Sequence, residues 1–239
     1  MTLPTGLQSL LPQKFLGFIP LFIGVEVILG VTILNKASGL YGILSLFTGH
    51  PINFLQWLYN SLALLMLPVY VMASITLENQ TKSPRKISFA TVVFCLDTLI
   101  GTFYTMYFIY FWFTEDGSGG GAARHVRAES SISASSPQSA SQQRELFFIF
   151  STTILTTAFR YYFTLVMLSF TKILLKQNAQ ELRYKIERTQ ESESSSSEFI
   201  IEDPEEAEIA NSTGLMGEFK NAVFDLEMRS KDLLDEILN

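Results

Sequence analysis

"ISFATVVFCLDTLIGTFYTMYFIYFWF", Ile87 to Phe113, runs for 27 residues with a single formal charge, Asp97. A hydrocarbon core about 30 Å thick is crossed by about 20 helical residues, so this stretch is long enough to span a bilayer. Three more segments share its character: Phe15 to Leu34, Ile52 to Leu77 and Leu146 to Leu175. Lipid offers no hydrogen-bond partner to a backbone amide, which makes helix the required conformation. The pattern predicts an all-α membrane protein, a bundle of four transmembrane helices. Residues 1–189 form the membrane domain, with spans at 15–34, 52–77, 87–113 and 146–175 and a disordered loop at 114–145; residues 190–239 form a largely disordered acidic C-terminal tail.

Charge is segregated to match. The net charge is -6, yet the chain after Thr189 holds 14 of the 23 acidic residues and 3 of the 17 basic ones. The membrane part is therefore mildly basic. Its basic residues flank the spans instead of forming a face, which argues against a nucleic-acid partner. Lys82, Arg85 and Lys86 crowd the second loop, and Lys172, Lys176, Arg183, Lys185 and Arg188 follow the fourth span. The positive-inside rule puts both groups, and with them both termini, in the cytosol. Trp57 and Trp112 then fall at one interface, as aromatic anchors do. The sequons at Asn79 and Asn211 would lie on the cytosolic side, so a glycan on either would invert the topology. Lys14 and the apolar run after it read as a retained signal anchor, since Glu26 stands where a cleavage signal would be.

Glu26, Asp97 and Arg160 sit within the first, third and fourth spans. A charged side chain at the bilayer centre costs about 2.5–3.5 kcal/mol on insertion scales, so these should face protein. Pairing Arg160 with Asp97 or Glu26 offsets part of that cost and leaves one acid to be satisfied by a hydroxyl or another subunit. The hydroxyls of "STTILTTAFRYYF", Ser151 to Phe163, are suited to bonds across helices around Arg160. Pro68 is the one interior breaker expected to bend a span. A proton or solute relay through the three charges is the rival reading.

Between the first two spans, the apolar run Leu40 to Phe47 is too short to cross. It reads as a re-entrant or interfacial helix ended at Gly49 and Pro51, beside His50 and Lys36. Beyond the fourth span, Leu175, Ala179, Leu182 and Ile186 extend the helix among basic residues, where it would rest on anionic membrane phospholipid. Ser192, Ser194, Ser195, Ser196 and Ser197 stand among acids and suit acid-directed kinases. The last 22 residues carry a helical stripe, Phe219, Ala222 or Val223, Leu226, Leu233 and Ile237, which reads as a docking helix for coat or sorting machinery. That tail would serve a trafficking scaffold, a second rival.

The residues of catalysis are sparse. There are two histidines, His50 and His125, and one cysteine, Cys95, which lies in a span. None is spaced to hold a metal, no cofactor is indicated, and no nucleophile sits beside a base. An auxiliary membrane subunit is the reading that needs no further chemistry.

"KFLGFIPLFIGVEVILGVTILNK", Lys14 to Lys36, and "SGLYGILSLFTGHPINFLQW", Ser38 to Trp57, resemble the fungal regulatory subunits of inositol phosphorylceramide synthase. The likeness extends to Asp97-Thr98 and to "FRYYF", Phe159 to Phe163, and fades in the third loop and the tail. It implies a Golgi membrane protein that binds a separate catalytic subunit and supports its activity. That subunit moves phosphoinositol from phosphatidylinositol to the primary hydroxyl of ceramide, releasing diacylglycerol, with catalytic residues of its own that have no counterpart here. Together with the charge argument, the resemblance makes Gly24, Glu26, Gly30, Lys36, Gly42, Gly49, His50 and Pro51 candidate interface positions. Arg124 and Arg127 stand apart in the third loop, a departure from the paired basic processing signal of the family.

Overall fold

A computed structural model describes residues 11–40, 44, 54–78, 83–117, 142–192 and 215–238. All five of its elements are helices: α1 (Leu21–Ala37), α2 (Phe54–Glu78), α3 (Pro84–Gly117), α4 (Gln142–Ser192) and α5 (Leu215–Leu238). Three of them, α2, α3 and α4, contain stretches long and apolar enough to cross a membrane. α1 has 17 residues, about 25 Å of helix at 1.5 Å per residue, which is at the short end for a crossing.

The first apolar segment is thus not helical from Phe15. The chain makes a tight hairpin there: the Phe15 amide donates to the Ile19 carbonyl at 2.8 Å, and the Ile19 amide donates back at 2.9 Å. Leu16 and Gly17 both have positive φ, 49° and 83°, and glycine at the second position makes such a turn sterically cheap. Pro20 then stands at the N-cap of α1. Proline biases the residue before it away from helix, so the helix can start only after Ile19. Pro68, by contrast, lies inside the continuous α2.

One expectation about the flanks needs correction. The stretch read as a disordered loop from 114 to 145 is helical at both ends, since α3 runs on to Gly117 and α4 begins at Gln142. The terminal helix read from the stripe in the last 22 residues is present, from Leu215 to Leu238. α4 itself continues past the apolar segment to Ser192, as the stripe after Leu175 suggested. Most of the run from Leu40 to Phe47 lies outside the described residues, as do 118–141 and 193–214.

The chain divides into two compact units, one made of residues up to Val93 with those from Leu165 onward, the other of Phe94–Thr164. In the first, α1 packs on α2. Its buried residues, Leu21, Gly24, Val25, Ile28, Leu29, Thr32 and Lys36, recur at three- and four-residue steps along one side. α3 and α4 meet through Thr91 and Thr171, whose buried hydroxyl oxygens are 2.8 Å apart. Each is also 2.9 Å from the carbonyl one turn back, of Ile87 and Met167. A hydroxyl has one proton, so one threonine donates across the helices and the other donates to its own carbonyl. In the second unit the same chemistry joins Thr98 to Thr164 at 3.1 Å and Thr102 to the Tyr161 hydroxyl at 3.3 Å. Hydroxyl pairs of this kind hold helices together where no hydrophobic force operates between them.

Candidate functional site

The outward side of α1 carries the polar group hardest to explain. Ile23, Glu26, Val27, Val31 and Leu34 are all exposed. Gly30, one turn beyond Glu26, is half-buried, and among the described residues nothing lies within 4 Å of where a Cβ on it would stand. Ile23, Glu26, Gly30 and Leu34 follow one another at steps of three and four, so a carboxyl, a backbone-deep notch and flanking apolar side chains share one face. Because α1 begins at Leu21, Glu26 is in its second turn, about 8 Å from the helix start. That is shallower than a span starting at Phe15 would place it.

The other candidates divide. Gly24 is buried, and a Cβ there would stand 2.5 Å from Cγ of Phe15. Its missing side chain is used internally, to seat the Phe15 ring of the hairpin. Lys36 is buried in the last turn of α1 with its ammonium 5.7 Å from the centre of the Tyr59 ring on α2. It belongs to the α1–α2 contact, where a cation over an aromatic face is attracted by the ring quadrupole. Gly42, Gly49, His50 and Pro51 lie outside the described residues, as do Ser194, Ser195, Ser196 and Ser197; Ser192 is the last residue of α4.

Of the intramembrane charges, Asp97 is buried on α3 and Arg160 half-buried on α4. No ion pair among the described residues joins these two. Close to them in sequence, hydroxyls meet across the two helices: Thr98 with Thr164, and Thr102 with Tyr161. The serine and threonine hydroxyls earlier in α4 differ, since Thr152 and Thr156 bond carbonyls of their own helix and are exposed.

The tail helix docks by a face the sequence did not suggest. Phe219, Leu226 and Leu233 of the expected stripe are exposed. Beyond Gly217, the buried residues are Glu227, Ser230, Leu234 and Leu238, again at three- and four-residue steps. Glu227 Oε2 lies 3.3 Å from Nε of Arg85 at the start of α3, both side chains being under one-tenth exposed. The Arg85 guanidinium also stands 4.3 Å from the centre of the Phe224 ring. Leu234 and Leu238 form a small core with Leu175 of α4, against which Val92 and Leu168 pack. Arg85 was legible as a membrane-flanking cation, but its partner lies 142 residues further along the chain.

Comparison with known proteins agrees with the resemblance of the first two spans. The family described as inositolphosphorylceramide synthase subunit Kei1 matches residues 14–178. The chain belongs to the Kei1 family. The inositol phosphorylceramide synthase regulatory subunit KEI1 of Saccharomyces cerevisiae (strain ATCC 204508 / S288c) is 34% identical over 176 residues, 69% of this chain and 78% of its own. The regulatory subunit kei1 of Schizosaccharomyces pombe (strain 972 / ATCC 24843) is 28% identical over 163 residues, 68% of each chain. No solved structure matches. The Kei1 match takes in the hairpin, α1, α2, α3 and the apolar part of α4, including Glu26, Gly30, Asp97 and Arg160. It stops short of α5.

Proposed function

We propose that this chain is a non-catalytic regulatory subunit of inositol phosphorylceramide synthase in the Golgi membrane, and that it holds the catalytic subunit through the outer face of α1. The observation that carries the reading is the exposed Glu26 beside the open notch at Gly30. A lone carboxylate at the bilayer centre costs about 2.5–3.5 kcal/mol on insertion scales, and Glu26, about 8 Å into α1, bears part of that cost. Snorkelling to the membrane surface is the resort of long lysine and arginine side chains, not of glutamate. A helix of the partner, approaching closely over Gly30 and offering Glu26 a donor, removes the cost and fills the notch.

In this reading the partner transfers phosphoinositol from phosphatidylinositol to ceramide, and the Kei1 chain keeps the site in shape or steers its lipids. The loop residues Gly42, Gly49, His50 and Pro51 extend the same contact on the lumenal side, with both termini in the cytosol. Asp97 and Arg160 act within the bundle.

Tagged chain purified gently from fungal Golgi membranes should bring down the synthase in fixed ratio with phosphoinositol-transfer activity. Glu26→Gln and Gly30→Leu should each lower recovery of the partner, and His50→Ala should lower activity. If complex and activity survive all three substitutions unchanged, the face is wrong. If the wild-type chain comes down as an inactive homo-oligomer, the subunit reading itself fails.

A further inference from the structure

The apolar stripe on the outward side of α5 has a charged companion. Glu218-Phe219, Asp225-Leu226 and Asp232-Leu233 are acid–apolar pairs repeated at seven-residue spacing, and all six residues are exposed. Among the described residues none of the three acids is in an ion pair. We propose that this face of α5 binds a basic amphipathic helix of a protein partner, one whose apolar seam is flanked by arginine or lysine.

Helical geometry lays out the site. Seven residues are about two turns, so each row runs nearly along the axis, and from Phe219 to Leu233 the stripe covers about 21 Å. One position after Leu226 and Leu233 come Glu227 and Leu234, which are buried against Arg85 and Leu175. That flank is closed. One position before each stripe residue comes an acid, on the opposite flank, which is open. Arg229 and Glu236, also exposed, stand between stripe and acids and offset each other. A helix seated on the stripe therefore meets Glu218, Asp225 and Asp232 on its one accessible side.

Charge decides among the occupants such a stripe could take. Helices that lie on membranes carry lysine and arginine on their polar face, whereas α5 has six acids and three bases. Two copies of the face laid antiparallel would set acids against acids; laid parallel, the acids of one would meet the closed flank of the other. The chain's own segment 193–214 holds seven acids and no base. A basic helix gains at all three layers, with an apolar side chain over each stripe residue and a cation beside each acid. The Kei1 match ends at residue 178, so this surface lies outside the matched region and is separate from the face of α1.

The full chain in phosphatidylcholine nanodiscs, titrated with a fluorescent helical peptide, tests this. The peptide carries three leucines at seven-residue spacing with arginine on both sides of each. Saturable binding should exceed that to empty nanodiscs, and the same peptide with glutamate for arginine should not bind. Glu218→Gln, Asp225→Asn and Asp232→Asn together should weaken binding about tenfold at low salt, since each exposed ion pair is worth about 1.4- to 5-fold. Phe219→Ala with Leu226→Ala should abolish it. Both sets lie on the outward side, so hydrogen exchange of 215–238 without peptide should match the native chain, which separates loss of the site from loss of the helix. Absence of saturable binding, equal binding of the two peptides, or binding indifferent to both sets of substitutions overturns the site. Leu226→Cys in a Cys95→Ala background reads the rival occupants: a disulfide between copies would assign the face to a second copy, and quenching of a bimane there by brominated lipid would assign it to the membrane. Either result overturns the partner helix.

Discussion

Replacing Glu227 with alanine should release α5 from the rest of its unit. In the native structure the carboxylate is buried against Arg85 at 3.3 Å, and the guanidinium is covered on another side by Phe224. Removing one member of a buried pair leaves an uncompensated charge, which costs about 3–5 kcal/mol. The Phe224 ring, 4.3 Å from the guanidinium, still attracts the cation once the carboxylate is gone. The lower end of the range therefore applies, about 3 kcal/mol, or roughly a hundredfold in the docked-to-undocked ratio. Leu234 and Leu238 remain to hold the helix, and each is worth about 2–5 kcal/mol against truncation. Docking should weaken markedly without being abolished. Hydrogen exchange of the full chain in nanodiscs reads this directly: amides of 215–238 should exchange about a hundred times faster in Glu227→Ala, while those of α2 stay unchanged. Arg85→Met combined with Glu227→Met should restore protection, because a buried pair replaced by apolar residues of similar volume is about neutral. Unaltered exchange in Glu227→Ala, or a double variant no better than the single, would refute the assignment of α5's hold to this pair.

Two further tests address the membrane helices. Gly24→Ala places a methyl 2.5 Å from Cγ of Phe15, and the strain of overpacking, about 1–3 kcal/mol, should fall on the hairpin; slow exchange of the Phe15 and Ile19 amides should be lost, and its retention would show that the ring moves aside freely. A double-mutant cycle with Thr91→Val and Thr171→Val should give a coupling of about 0.6 kcal/mol and no more than about 1.7, measured by unfolding in mixed detergent; zero coupling would mean that the two hydroxyls serve only their own helices.

The difference between expected and observed tail has a simple cause. Phe219, Leu226 and Leu233 make the most regular apolar stripe on α5, yet they face outward. The docked face includes Glu227 and Ser230, residues that a search for apolar periodicity rejects. Burial of Glu227 depends on a cation, Arg85, that is 142 residues earlier in the chain, and no local pattern announces a pairing over that distance. The hairpin before α1 was different, for its signals were present: Gly17 tolerates positive φ, and Pro20 stops a helix from running back through Ile19. Apolar composition across 15–34 hid them, because hydropathy measures affinity for lipid and is blind to where a helix can begin.

The likeness to the Kei1 family was carried by particular residues, chiefly from Lys14 to Trp57; composition and spacing alone determined that this chain enters a membrane and that its elements are helices. Those conclusions follow from terms that add residue by residue: transfer of side chains into hydrocarbon, and the demand of every buried amide for a partner within its own helix. The tertiary structure alone decided that Gly24 and Lys36 serve internal contacts while Glu26 and Gly30 remain on the open face of α1. It alone paired Thr91 with Thr171 and Arg85 with Glu227. Such pairings depend on which helix faces lie against each other, and a sum over single residues holds no information about that.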